Sequence, residues 1–336
     1  MNDIHGGNIS GRKILYDFSA NLNPLGMPES VKKAAVSAIS GSDRYPDPYC
    51  RELIGKLSRY EDLPAENIVC GNGADDLIYR TIHALSPKNA LIAAPTFSEY
   101  GKALSEAGCV IGEYPPEHIC EAPSDSTDMI ILCNPNNPTG RLYDRESLKI
   151  LCEKCIETGA VFLCDECFID LCGNAETRSV RPFMNKNVII LKAFTKTYAM
   201  AGLRLGYALF GSTELAGRVR GSGQFWSVSV PAQAAGTAAL DEKEYLKSAV
   251  SLISDERGYL AGMLAAHGFD VIPSDANFIL FRCGIPLDEL LLEKGILIRN
   301  CSNYSGLEQG WFRIAVRTHA ENEVLAAAID EITNKR

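Results

Sequence analysis

The chain has 336 residues, 46% of them hydrophobic and 22% charged, with a net charge of −9. This length and apolar content suit one large and one small domain, and the acidic balance argues against a nucleic-acid partner, which would need a basic field. No apolar run reaches membrane-spanning length and residues 1–11 are polar and glycine-rich, so the expectation is a cytoplasmic protein with no membrane partner.

In chain order, the first predicted helix runs from Glu29 to Ile39 behind Pro28 and is expected to pack on the smaller domain. Apolar strands are predicted at Ile68–Cys70, Ala90–Ala93, Met129–Cys133, Val161–Cys164, Val188–Leu191 and Leu205–Phe210. Helical segments alternate with them after Ala74, over Ser98–Ala107 and over Arg145–Thr158. Such alternation predicts an α/β domain around a mostly parallel sheet. A long helical stretch from Glu242 to His267 leads into a smaller domain, with strands at Phe278–Arg282, Ile296–Arg299 and Phe312–Val316 and a final helix from Ala320 to Thr333. The expected division is 1–40 for an N-terminal arm and part of the small domain, 41–240 for the large domain and 241–336 for the C-terminal small domain.

The twelve cysteines include two Cys-x-x-Cys pairs, Cys152/Cys155 and Cys164/Cys167. Cys164 ends a predicted strand, and on a continued strand residues three apart point to opposite faces. The eight residues between the pairs are also shorter than the usual zinc spacing. No metal is expected, and the thiols read as small apolar groups.

Ligands of open α/β sheets lie beyond the carboxyl ends of the strands. After the first strand, Gly71-Asn72-Gly73-Ala74-Asp75 is a glycine turn opening a helix, whose free N–H groups suit a phosphate. After the second, Phe97 can lie over a flat heterocycle. The rigid loop Asn134 to Gly140 presents Asn137, whose amide can donate to a phenolate oxygen. Asp165 can pair with a protonated pyridine nitrogen. Past the next strand come Thr195, Lys196 and Arg204. A partly desolvated lysine loses its proton and attacks an aldehyde, while a guanidinium clamps a phosphate. Singly, each has an ordinary reading: a structural turn, a core aromatic, a helix cap, a surface lysine. Jointly, they meet the needs of one cofactor, pyridoxal 5′-phosphate.

The run Asn134 to Gly140, the pair Asp165-Glu166 and the stretch from Thr195-Lys196 through Arg204-Leu205-Gly206-Tyr207 resemble the fold-type I pyridoxal-phosphate enzymes of the aminotransferase class I/II group. The resemblance covers nearly the whole chain. It implies the fold-type I transferase fold, a large α/β domain with a smaller α+β domain. It implies Lys196 as the lysine bonded to the cofactor, Asp165 on the pyridine nitrogen, Asn137 on the ring oxygen and Phe97 stacked on the ring. Arg204, Gly73, Ala74, Asp75 and Thr195 are implied around the phosphate. A homodimer is implied too, with Tyr45 reaching the phosphate of the neighbouring subunit's cofactor. Two positions depart from the pattern. Ala193 replaces a phosphate-binding Ser or Thr, a loss of about 1 kcal/mol, and Phe168 replaces a tyrosine that bonds the ring oxygen.

Within the group, His5-Gly6-Gly7-Asn8-Ile9, Asp17 through Gly26, Trp226-Ser227-Val228 and Ile296 through Tyr304 resemble the threonine-phosphate decarboxylase family. The neighbouring resemblance is to the histidinol-phosphate aminotransferases. The first implies a small phosphorylated amino acid as substrate, with Arg313 on its carboxylate, Arg299 and His5 on its phosphate, and Asn21 beside them. Arg317 is the alternative to Arg313, and Lys192 the alternative to Lys196. A cofactor-binding protein without turnover is a third reading, motivated by Ala193 and Phe168.

Overall fold

Seven strands form the central sheet of the computed structural model, which describes residues 5–11, 13–173 and 175–334. Their spatial order is Ile68–Gly71, Gly206–Phe210, Val188–Ala193, Val161–Asp165, Met129–Cys133, Asn89–Ala93 and Val110–Tyr114. Gly206–Phe210 runs antiparallel to both its neighbours; the other pairs are parallel. Along Met129–Cys133 every residue is buried. Ile130 and Leu132 enter one core with Leu53, Phe162 and Ile190, while Met129 and Ile131 enter another with Leu77, Tyr100 and Leu163. A parallel sheet covered on both faces produces such continuous apolar strands. Val110–Tyr114, by contrast, is an unexpected edge strand. Its residues are half-buried or exposed, so it carries no apolar run to read.

The Glu29–Ala38 helix packs on the Val230–Ala239 helix, and Val31 and Ala35 join the large-domain core beside Leu53 and Leu57. This corrects the expectation that it packs on the small domain. Val31 and Ala35, one turn apart, make a narrow apolar stripe, and the alanine-rich partner lets the two helices approach closely.

The smaller sheet is antiparallel, in the order Arg299–Asn300, Trp311–Ala315, Phe278–Arg282 and Asp270–Val271. The expected Ile296–Arg299 strand is broken at Ile298. Its first half, Ile296–Leu297, pairs with Tyr16–Asp17, whereas Arg299–Asn300 joins Trp311–Ala315. The break sets Arg299 directly opposite Arg313. The Lys243–Ala266 helix links the two domains: Ala249 and Ile253 pack on Leu171, and Leu260 and Leu264 enter the small-domain core. Behind the N-terminal arm, Asn23 N–H donates to the Lys196 carbonyl at 3.1 Å. Among the described residues no helix is long and apolar enough to cross a membrane.

Candidate active site

A cavity of about 230 Å³ opens where the carboxyl ends of the large sheet meet the small domain and the arm. Lys196 reaches it from the one-turn helix Phe194–Thr197, which continues the Val188–Ala193 strand. Burial, then the positive charge of Arg313, lowers its amine from 10.5 to about 8. The ammonium lies 5.5 Å from the centre of the Phe168 ring. Lys192 lines a different cavity and donates to Asp170 at 2.7 Å. Burial works against its charge too, but Asp170, Glu61 and Glu166 outweigh it and raise its pKa. Of these two lysines, Lys196 is the one prepared to lose a proton.

Asp165 is buried at its strand end, and both carboxylate oxygens are engaged. Tyr100 O–H donates to Oδ2 at 2.5 Å and Cys167 N–H to Oδ1 at 2.9 Å. Burial, then Asp165 itself, pushes the Tyr100 phenol well up, so the phenol stays a donor. Sequence reading missed Tyr100. Its signal was its place three residues beyond Phe97, which it meets edge-on at 5.5 Å. Asn137 Oδ1 accepts from the Arg313 guanidinium and, at 3.5 Å, from Tyr304 O–H. That leaves the Asn137 NH2 as the end able to donate into the cavity.

Gly73 precedes the Ala74–Leu85 helix with φ +87°, and a Cβ there would stand 2.7 Å from Arg204 Nη2. Only glycine fits both the backbone and the guanidinium. Ala74 and Asp75 form the first turn, with free N–H groups for an anion. The Asp75 carboxyl is raised by burial and then by Glu99, and its Oδ1 is buried without a partner. Its backbone N–H, not its carboxylate, suits a phosphate. Arg204 is exposed at the cavity, where Thr195 and Ala193 complete the same corner; Ala193 brings no hydroxyl.

Across the cavity, Arg299 and Arg313 are both buried, at 6% and 5% exposure, and opposed across two antiparallel strands. Like charges in that register are destabilising unless something neutralises them. Arg299 donates to Asn300 O at 2.6 Å and Asn303 Oδ1 at 2.7 Å, and its guanidinium lies over Tyr304. Arg313 donates to Ser19 O at 2.9 Å, and its Nε is buried without a partner. Among the described residues Arg313 has no ion pair. Arg317, the alternative, sits past the strand end and is paired with Glu321 at 2.7 Å, away from the cavity.

The arm brings two more residues to the cavity. Asn21 is buried with Oδ1 unpartnered. His5 is exposed, with Nε2 at 2.8 Å from Glu99 and its ring 5.6 Å from that of Phe97. Tyr45 does not line the cavity of its own chain; it is 77% exposed and stacks on Trp226 at 4.3 Å. The Cys-x-x-Cys thiols lie apart from this chemistry. Cys152 and Cys155 are buried on the Arg145–Thr158 helix, where burial pushes each up to about 12. Cys164 and Cys167 are also buried and raised by burial.

An amine of lowered pKa, a fixed carboxylate acceptor, an amide donor and a glycine cradle beside an arginine fit an aldehyde-bearing pyridine phosphate. They define a pyridoxal-phosphate enzyme built on the fold-type I transferase architecture. Residues 13–329 match the aminotransferase class I and II family, and the chain belongs to it; its cofactor is pyridoxal 5′-phosphate. It is 35% identical to the threonine-phosphate decarboxylase of Salmonella typhimurium, over 99% of this chain and 97% of that one. It is 34% identical to a histidinol-phosphate aminotransferase of Methanosarcina mazei, over 94% of this chain and 88% of that one. The crystal structure of the histidinol-phosphate aminotransferase from Clostridium acetobutylicum superposes with a TM-score of 0.89 at 28% identity, covering 96% of this chain and all of that one.

Proposed function

We propose that the protein decarboxylates L-threonine O-3-phosphate to (R)-1-aminopropan-2-yl phosphate, a step of cobalamin biosynthesis. The observation that carries this reading is the buried, opposed pair Arg299 and Arg313, with His5 at the same cavity. The substrate carries an anion at each end and an amine between them. The Arg313 fork, with its Nε unpartnered, suits the planar carboxylate. Arg299 and His5 suit the phosphate. The 35% identity to the Salmonella decarboxylase along nearly the whole chain supports the same reading.

Bound at this site, pyridoxal 5′-phosphate supplies the electron sink for a bond breaking at the substrate's α-carbon. The residues decide which bond that is. Arg313, anchored on Asn137 and Ser19, fixes the direction of the carboxylate. The carboxylate leaves as CO2, and one proton takes its place on the α-carbon. Lys196 Nζ, with a pKa of about 8, takes up and returns a proton near neutral pH and is the group that delivers it. No keto acid is consumed.

A histidinol-phosphate-type aminotransferase is the second reading, favoured by the 34% identity to the Methanosarcina enzyme. Histidinol phosphate carries a phosphate and no carboxylate, which leaves one of the two opposed arginines unmatched in that half of the reaction. A paired assay separates the readings. Threonine phosphate alone is expected to release CO2. Histidinol phosphate with 2-oxoglutarate is expected to give no glutamate, and glutamate without CO2 release would overturn the proposal.

A further inference from the structure

We propose that Glu99 is a positioning residue for His5, committing the imidazole of the arm to meet the substrate phosphate as a cation. This rests on the proposed role of His5 at that phosphate. Glu99 is in the first turn of the Ser98–Glu106 helix, yet it is only 6% exposed and makes no capping bond to that helix. Burying a carboxylate is costly unless donors satisfy it. Three donors do. Tyr79 O–H lies 2.9 Å from Oε2, His5 Nε2 lies 2.8 Å from Oε1, and Lys102 Nζ stands 3.5 Å from Oε2. Burial opposes the charge, but the bonds from Tyr79 and His5, with Lys102, keep the Glu99 carboxyl below its usual range.

The tautomer follows from donor counting. A neutral imidazole has one N–H. If that hydrogen sits on Nε2 and points at Glu99, Nδ1 is left with a lone pair, which repels a phosphate oxygen. With both nitrogens protonated, Nε2 still serves Glu99 and Nδ1 donates to the phosphate. Asp75 from the Ala74–Leu85 helix and the Phe97 ring also face this imidazole, while Tyr79 and Lys102 sit against Glu99. Glu99 is the carboxylate in direct contact. The arm has a second anchor that sets its height over the cavity. Gly7 N–H donates to Ser19 Oγ at 2.8 Å, Ser19 Oγ donates to Asp17 at 2.6 Å, and a Cβ at Gly6 would collide with the Ser19 carbonyl. Phosphate capture by His5 is therefore coupled to a proton on its ring, and Glu99 supplies the matching charge.

The test uses the holoenzyme with threonine phosphate and with unphosphorylated threonine, in wild type, H5A, E99Q and H5A/E99Q. Glu99→Gln keeps an acceptor for Nε2 and removes the charge. The expected result is a KM for threonine phosphate raised about tenfold, the size of a lost charge-assisted bond, with a much smaller fall in kcat. In that variant kcat/KM for threonine changes far less. In the H5A background E99Q adds nothing, because the two residues act as one unit. Equal losses on both substrates, or additive effects in the double variant, overturn the proposal. If H5A leaves the KM for threonine phosphate unchanged, the phosphate role of His5 falls and the positioning role with it. If H5A raises that KM and E99Q does not, only the positioning role falls. Should E99Q fail to fold, Tyr79→Phe removes a donor that aims Glu99 and is expected to give the same split at about a third of the size; no split there overturns the proposal as well.

Discussion

Lys192 and Lys196 share one strand and its continuation, yet their pKa values move in opposite directions. Three carboxylates surround the first and an arginine faces the second, so charge, more than burial, separates them. Lys196→Ala is expected to lower activity by about a thousandfold or more and to abolish the absorbance of covalently held cofactor, whereas Lys192→Ala keeps both. Cofactor covalently held in the first variant would refute the assignment. A pH prediction follows from the same shift. The unfolded lysine titrates near 10.5 and the folded one near 8. Below about pH 8 both states are protonated and the full destabilisation is present; it fades between 8 and 10.5 and is absent above. In cofactor-free protein, Lys196→Met is therefore expected to raise Tm at pH 7, by no more than about 3 kcal/mol of stability and less because the side chain is only partly buried. Thermal melts from pH 7 to 10.5 should show that gain shrinking; a gain that ignores pH contradicts the shift. Residues on strand ends, such as Asp165, Asn137 and Lys196, were legible because a strand end is visible in sequence. Tyr100 and Glu99 were not, because their partners lie on other elements.

At the scale of elements, the site depends on how each strand stops. Gly73 ends one connection with a backbone angle and a clearance that no side chain tolerates. Gly73→Ala is expected to weaken pyridoxal-phosphate binding by about tenfold or more, read by titrating apoenzyme, because the new Cβ displaces Arg204. Unchanged affinity would remove Arg204 from the phosphate corner. The break at Ile298 is the other decisive stop. It was illegible because Ile296, Leu297 and Ile298 are all apolar, and only pairing to two different strands separates them. Its consequence, Arg299 opposite Arg313, predicts that Arg299→Ala loses about a hundredfold in kcat/KM for threonine phosphate and far less for threonine. Equal losses on the two substrates would deny Arg299 its phosphate. The core strands were legible from apolar runs, and the edge strand Val110–Tyr114 was not, since half-exposed residues carry no such run.

The whole molecule brings its two domains together through the Lys243–Ala266 helix and the arm, and the cavity exists only where they meet. The homodimer remains a proposal at this scale, with Tyr45 serving the neighbouring cofactor. Its exposure and its absence from its own chain's cavity give that role a physical basis. Mixing inactive Lys196→Ala and Tyr45→Ala chains through a denature–refold cycle should restore up to about a quarter of wild-type activity, because half the chains enter heterodimers with one intact site each. No recovery would place Tyr45 outside the site. Fold and cofactor were legible from one sequence because they rest on many strand ends. The choice of bond is harder to read, since under the proposed function it depends on the angle at which Arg313 would hold one carboxylate. The fate of hydrogen at the α-carbon tests that choice most directly. In D2O with threonine phosphate, the expected amine product keeps its original α-hydrogen and gains a single deuterium where the carboxylate stood. Loss of the original α-hydrogen from recovered substrate, with no CO2, would contradict it.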